Sequence, residues 1–248
     1  MKRVAIAALA VGLAFTACTS PAARTQPAPG RSSSSLSPSP IAASSPTQTG
    51  PSPSPASVFH ATVEIIDPPT RARMVPSTWR PGCPVPIDDL RLVTLSFWGF
   101  DGEPHTGRLI VNRDVAQPVV SAFHRLFDAR FPIRRMQTVE SFGGDDERSM
   151  EADNTSAFNC RPVEGNPGSW SQHALGRAVD LDPLENPYVR GDTVLPVTAT
   201  RYTDRSLHIP GLIHRGDAAT SAFAAVGWGW GGAWGSLKDY QHFSANGL

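Results

Sequence analysis

The sequence predicts a single α+β domain in which a small antiparallel sheet is flanked by helices. Three observations predict it. Leu90 to Phe97 alternates as a strand and is followed by a turn and a returning apolar run. Val115 to Arg130 repeats Val119, Val120, Phe123, Leu126 and Phe127 at helical spacing. Strands and helices do not alternate strictly, and no internal repeat is visible, which argues against a parallel α/β sheet.

The chain opens on Lys2 and Arg3, then an apolar run from Val4 to Ala17. That run is short for a bilayer span, so it reads as an export signal. It ends at Phe15-Thr16-Ala17-Cys18, which resembles the lipobox of bacterial lipoproteins, with Phe15 where an aliphatic residue is usual. Residues 1–18 are therefore expected to be a lipoprotein-type signal with Cys18 lipidated; plain secretion is the alternative. From Ser32 to Ser57, 17 of 26 residues are Ser or Pro, and no acid precedes Glu64. Such a segment cannot bury enough apolar surface to offset its ordering entropy. Residues 19–57 are read as a tether, reaching on the order of 100 Å at polyproline spacing.

The folded domain is expected over 58–248, long enough for one sizeable core. The chain has 22 basic and 22 acidic residues. Four of the basic ones precede residue 58, leaving 18 against 22 in the domain. A net charge of that sign excludes an obvious nucleic-acid binder. Cys83 and Cys160 are the two cysteines of the domain. An exported chain favours a disulfide between them over two buried thiols.

Along the domain, Val58 to Ile66 is expected as a strand ended by Pro68-Pro69. Leu90 to Phe97 and Thr106 to Val111 form a hairpin about Asp101-Gly102-Glu103. Val115 to Arg130 is a helix stopped before Pro132, and Ile133 to Ser141 a strand. Gly143 to Arg148 reads as a solvated acidic turn. Ala157 to Cys160 is strand or helix, Ala178 to Leu181 a short strand, and Asp217 to Val226 a helix ended by Gly227.

Two stretches carry the chemistry: Ser171-Gln172-His173-Ala174-Leu175-Gly176-Arg177-Ala178-Val179-Asp180, and Asp239-Tyr240-Gln241-His242. Two imidazoles and two carboxylates offer three metal ligands and a base, with one coordination position left for water. Gly176 and Val179 argue that the first stretch is a loop entering a strand rather than a helix. Asp182 is a rival ligand, because it shares a strand face with Asp180.

These blocks resemble the zinc D-alanyl-D-alanine carboxypeptidase family (peptidase M15-like, VanY-type), which includes vancomycin-resistance dipeptidases and phage L-alanyl-D-glutamate endopeptidases. The match is to its Ser-x-His-x6-Asp block and its closing carboxylate-x-x-His block. Gly227 to Trp234 is similar to the Gly-Trp-x-Trp-Gly-Gly-x-Trp run of the endopeptidase-like branch, and Ser156 to Arg161 resembles the Ser-x-Phe-x-x-Arg element. The resemblance spans Ser141 to Ser244 and implies a Hedgehog/DD-peptidase-like fold. It implies that His173, Asp180 and His242 hold Zn2+ and that Asp239 is the general base, where many members carry Glu. Arg161 would stabilise the oxyanion; a structural ion pair to Asp146 or Asp153 is its alternative. Asp182 would then act outside the ligand set. The implied activity is hydrolysis of amide bonds in peptidoglycan stem peptides by a metal-activated water, of either the D-Ala-D-Ala carboxypeptidase or the L-Ala-D-Glu endopeptidase type, in a monomeric, membrane-anchored lipoprotein facing the cell wall. A non-catalytic zinc-containing cell-wall binding or scaffold protein on the same fold is the competing reading.

Trp228, Trp230 and Trp234 are expected to line a groove or to fill the core. His208 and His214 fall on a loop, and His60, His105 and His124 have no partner by spacing. The chain has two lysines, Lys2 and Lys238, with Gly at 235, so no Ser-x-x-Lys machinery exists. Neither Gly-x-Ser-x-Gly nor His-Glu-x-x-His occurs.

Overall fold

Helix α2 (Ala116–Asp128) organises the domain, because its apolar face is what the main sheet and a second helix pack against. The computed structural model describes residues 57–163 and 165–248, all within one compact unit. The export signal, Cys18 and the tether expected before Ser57 lie outside the described residues.

Strand β1 (Ala61–Ile65) leads into α1 (Pro68–Met74). The two prolines were expected only to end the strand. They also start a helix, since the first helical positions need no N–H, and Asp67 caps it by accepting from Thr70 N at 2.7 Å. Strands β2 (Leu90–Trp98) and β3 (Pro104–Asn112) form the expected hairpin, with Leu95 opposite Gly107 and Val93 opposite Leu109. The sheet order is β1-β2-β3, antiparallel throughout. Val119, Ala122, Phe123, Leu126 and Phe127 of α2 are buried against it.

Ile133 to Ser141 is not the expected strand. Its backbone groups go to different neighbours: Ile133 N to Trp98 O at 2.7 Å, Arg134 N to Asp182 Oδ1 at 2.9 Å, and Gln137 N to Asn154 Oδ1 at 2.8 Å. No single strand runs alongside, so only isolated bridges form. The acidic turn also proves different. Asp145 accepts from Arg148 N and caps α3 (Asp146–Glu151). Ala157 to Cys160 is neither strand nor helix, although it is buried.

The remaining strands are short: β4 (Pro162–Val163), β5 (Asn166–Trp170), β6 (Ala178–Asp180), β7 (Tyr188–Arg190) and β8 (Thr193–Leu195). Helix α4 (Ala218–Ala224) follows, capped by Asp217, then β9 (Gly229–Trp230), β10 (Lys238–Asp239) and β11 (His242–Ser244). They make three further small antiparallel sheets, β6-β11-β9, β10-β7-β8 and β4-β5, where the sequence led us to expect one sheet. The class is α+β as predicted.

The core fixes the strand that matters most. Phe123 of α2 meets Phe223 of α4 edge-on at 6.1 Å, and Phe223 stacks on Phe243 of β11 at 4.1 Å. Successive strand residues face opposite sides, so seating Phe243 in the core aims His242 the other way. Cys83 and Cys160 are joined, Cα to Cα 5.9 Å, which ties the loop after α1 to the segment leading into the site.

Candidate metal centre

Strands β6 and β11 pair with Asp180 directly opposite His242. Asp180 is held on its other edge too, exchanging backbone hydrogen bonds with Ser156 at 2.9 and 3.0 Å. His173 arrives from the preceding turn, where Ala174 N bonds Ser171 O and Gly176 N bonds His173 O. Gly176 has φ +66°, and a Cβ there would meet Asn112 N at 2.6 Å, so this turn requires glycine. As expected, the segment is a loop entering a strand.

The three side chains converge in a triangle whose two Asp180 contacts end on different oxygens of the carboxylate. His173 Nε2 lies 3.1 Å from Asp180 Oδ2, His242 Nδ1 lies 3.1 Å from Asp180 Oδ1, and the two nitrogens are 3.1 Å apart. All three residues are buried. The outer ring nitrogens settle the proton positions. His173 Nδ1 faces the Ala157 carbonyl at 2.6 Å, and His242 Nε2 faces the Leu248 main-chain oxygen at 3.2 Å. Those oxygens only accept, so both outer nitrogens donate and both inner ones point lone pairs at each other and at a carboxylate. That arrangement repels itself unless something positive sits inside it. Burial opposes ionisation of Asp180, yet His173 and His242 pull it well below the ordinary carboxylate value. Burial opposes charge on His242 as well, and its hydrogen bond to Asp180 raises it above the usual imidazole value. A proton or a metal ion between the inner nitrogens and the carboxylate would relieve that repulsion.

The donor set fits zinc. Tetrahedral ligands about 2.0–2.1 Å from zinc stand about 3.3 Å apart, close to the pairwise separations found. Both imidazoles are oriented by carbonyls behind them, as ligating histidines generally are. Among the described residues, His173, Asp180 and His242 are the one group of three or more such side chains able to hold a metal ion.

A cavity of about 340 Å³ opens onto this cluster and is also lined by Asp239, Arg161, Asp146, Gln241, Trp170 and Trp234. Asp239 reaches it from β10, which pairs with β7. Its Oδ1 is buried without a partner. Burial pushes Asp239 up to about 6, with Asp180 adding to the effect and His242, His173 and Arg161 opposing it. Gly231 packs beneath both blocks: a Cβ there would meet Asp239 O at 2.6 Å, Asp239 Cβ at 2.9 Å and His242 Cβ at 3.3 Å. Its role as a floor for Asp239 and His242 was not anticipated; the glycine spacing of the Trp-rich run was the available signal.

Arg161 enters the same cavity, and its Nε lies 2.8 Å from Asp146 Oδ2. Burial works against its charge, and Asp146, Asp180 and Asp239 together more than compensate. Asp146 was expected in a solvated turn; folding of α3 turns it into the wall instead. Asp182 stays outside the triangle. Its Oδ1 accepts from Arg134 N, and burial together with Asp153 raises it well above the ordinary carboxylate value. The tryptophans divide. Trp228 is core, Trp230 bonds Tyr240 O, and Trp234 lines the cavity 5.4 Å from the His242 ring. His208 and His214 stack on each other, and His60, His105 and His124 lie elsewhere; none lines the cavity.

No curated protein and no solved structure gives a match. Residues 164–245 match the family model described as D-alanyl-D-alanine carboxypeptidase, a segment that holds His173, Asp180, Asp239 and His242 but not Arg161 or Asp146, and this match supports an M15-like peptidase family for the chain.

Proposed function

We propose that the protein is an exported zinc peptidase that hydrolyses amide bonds in peptidoglycan stem peptides. The observation that carries this reading is the inward-facing triangle of His173, Asp180 and His242 with the unpartnered Asp239 Oδ1 in the same cavity. The family match over the same segment supports the peptidase class. The apolar run before Cys18 and the Ser/Pro-rich stretch after it support a lipid-anchored domain working at a distance from a membrane.

His173 Nε2, Asp180 and His242 Nδ1 would hold the zinc. When bound there, it supplies Lewis acidity and the means to activate a water near neutral pH. Asp239 Oδ1 takes the proton of the attacking water and hands it to the leaving amine. A carboxylate raised towards 6 is well matched to both transfers. The Arg161 guanidinium places positive charge where the carbonyl oxygen becomes negative, a contribution of roughly 3–4 kcal/mol for one good donor. Ala157 O and Leu248 O hold the two imidazoles in their tautomers throughout.

Mass spectrometry of muropeptides digested by the zinc-loaded protein tests this reading. Cleavage of the stem peptide is expected. Asp239→Asn should keep zinc and lose turnover by about 10²-fold or more. Normal turnover by that variant contradicts the role of Asp239. Zinc retained by the parent without any cleavage supports the non-catalytic scaffold instead.

A further inference from the structure

The charge of the cavity wall bears on which end of a peptide it accepts. Among the described lining residues, Arg161 faces three acids, Asp146, Asp180 and Asp239, and is the one Lys or Arg. Its Nε lies 2.8 Å from Asp146 Oδ2, and the two side chains are only 28% and 26% exposed. Water therefore screens this pair less than it screens a surface pair. Asp146 is held in place from two sides. It opens α3 directly after the Asp145 cap, and its Oδ1 lies 3.4 Å from Asn159 Nδ2.

With a divalent ion in the triangle, the three acids are matched by that ion and Arg161. The cavity is then neutral overall, with no net positive charge to draw in a second, permanently charged group of the substrate. A free carboxylate carried into the cavity beside the cut bond would lose hydration and meet Asp146 next to the cation that would otherwise receive it. A chain that continues as an amide brings no such charge. Part of the wall suits it: Val163, Trp170, Tyr188, Leu195, Trp234 and Leu237 are apolar or aromatic. Val163 and Trp170 remain 41% and 42% exposed, offering a path over the β4–β5 hairpin by which a continuing chain can leave.

We propose that Asp146 is a specificity-determining residue: by balancing the charge of Arg161 it turns the cavity away from peptides that end in a free carboxylate beside the cut bond and towards internal amides. This rests on the peptidase reading above.

The test uses the zinc-loaded full chain and two stem-type peptides that differ only after the cut bond, one ending in a carboxylate and the other in a carboxamide. The parent is expected to favour the carboxamide in kcat/KM by about tenfold or more. Asp146→Asn should narrow that ratio by about tenfold, mainly through a lower KM for the free acid, and Asp146→Glu should restore it. A parent that favours the free acid overturns the proposal, and so does an Asp146→Asn ratio equal to the parent's. Zinc content is measured for each protein; where Asp146→Asn fails to fold or load, the parent's own ratio decides. Cleavage of neither peptide by the zinc-loaded parent overturns the peptidase reading and this proposal with it. Cleavage with the free acid preferred overturns this proposal alone.

Discussion

Two carboxylates, the half-buried Asp239 and the buried Glu185, are shifted in the same direction and serve different ends. Asp239 faces the cavity with a free oxygen. Glu185 lies away from it, with Arg134 Nη2 3.9 Å off and Asp153 beside it. Burial, then the charge of Asp153, pushes Glu185 up to about 8 from an ordinary 4.5. A raised carboxylate stabilises the fold fully below its unfolded value. That stability is lost as pH rises through the folded value, because the unfolded chain ionises first. Between about pH 4.5 and 8 this group therefore lowers stability steadily. Glu185→Gln should flatten that slope, so melts of parent and variant should diverge in the variant's favour from pH 5 to 8. Parallel melting curves across that range contradict the assignment. No motif marked Glu185, since its shift depends on Asp153, which the fold brings in from another segment.

At the scale of elements, short pieces of backbone set the site. Asp180 and His242 face each other because β6 and β11 pair in one register, and Phe243 locks that register by stacking on Phe223. Gly231 supports both Asp239 and His242 from the segment after β9. Gly231→Ala should cost about 1–3 kcal/mol in stability, the usual penalty of forcing atoms into a tight contact, and should weaken zinc binding and turnover together. Unchanged zinc affinity in that variant contradicts the close packing. The long elements were legible in the sequence because their apolar periods are strong: the β2–β3 hairpin and α2 fall within a few residues of expectation. The short ones were not. Ile133 to Ser141 has strand-like residues, but its hydrogen bonds go to Asp182, Asn154 and Trp98, which no local pattern reveals. Helix α3 was hidden because the acids that cap and open it read equally well as a solvated turn.

For the molecule as a whole, the Cys83–Cys160 bond joins the α1 region to the segment carrying Arg161 across a separation of 77 residues. Closing a loop of that length restricts the unfolded chain and stabilises by about 4–5 kcal/mol in the chain-entropy model. A Cys83→Ala, Cys160→Ala double variant should melt well below the parent and at the same temperature as the reduced parent. Equal melting of oxidised parent and double variant contradicts the contribution. The candidate ligands were legible as residue types at a spacing. Their meeting at 3.1 Å depends on β6, β11 and the Gly176 turn assembling around one core, and Asp146 joined the wall only because α3 folded.

The most direct test is a calorimetric zinc titration of the metal-free full chain beside its His242→Ala variant. One ion per chain should bind the parent and raise its melting temperature. The variant should bind more than about a hundredfold more weakly, since losing even an orienting partner of a ligand costs 10–100-fold. A parent that takes up no zinc, or a variant that binds it as tightly as the parent, contradicts a metal centre built from His173, Asp180 and His242.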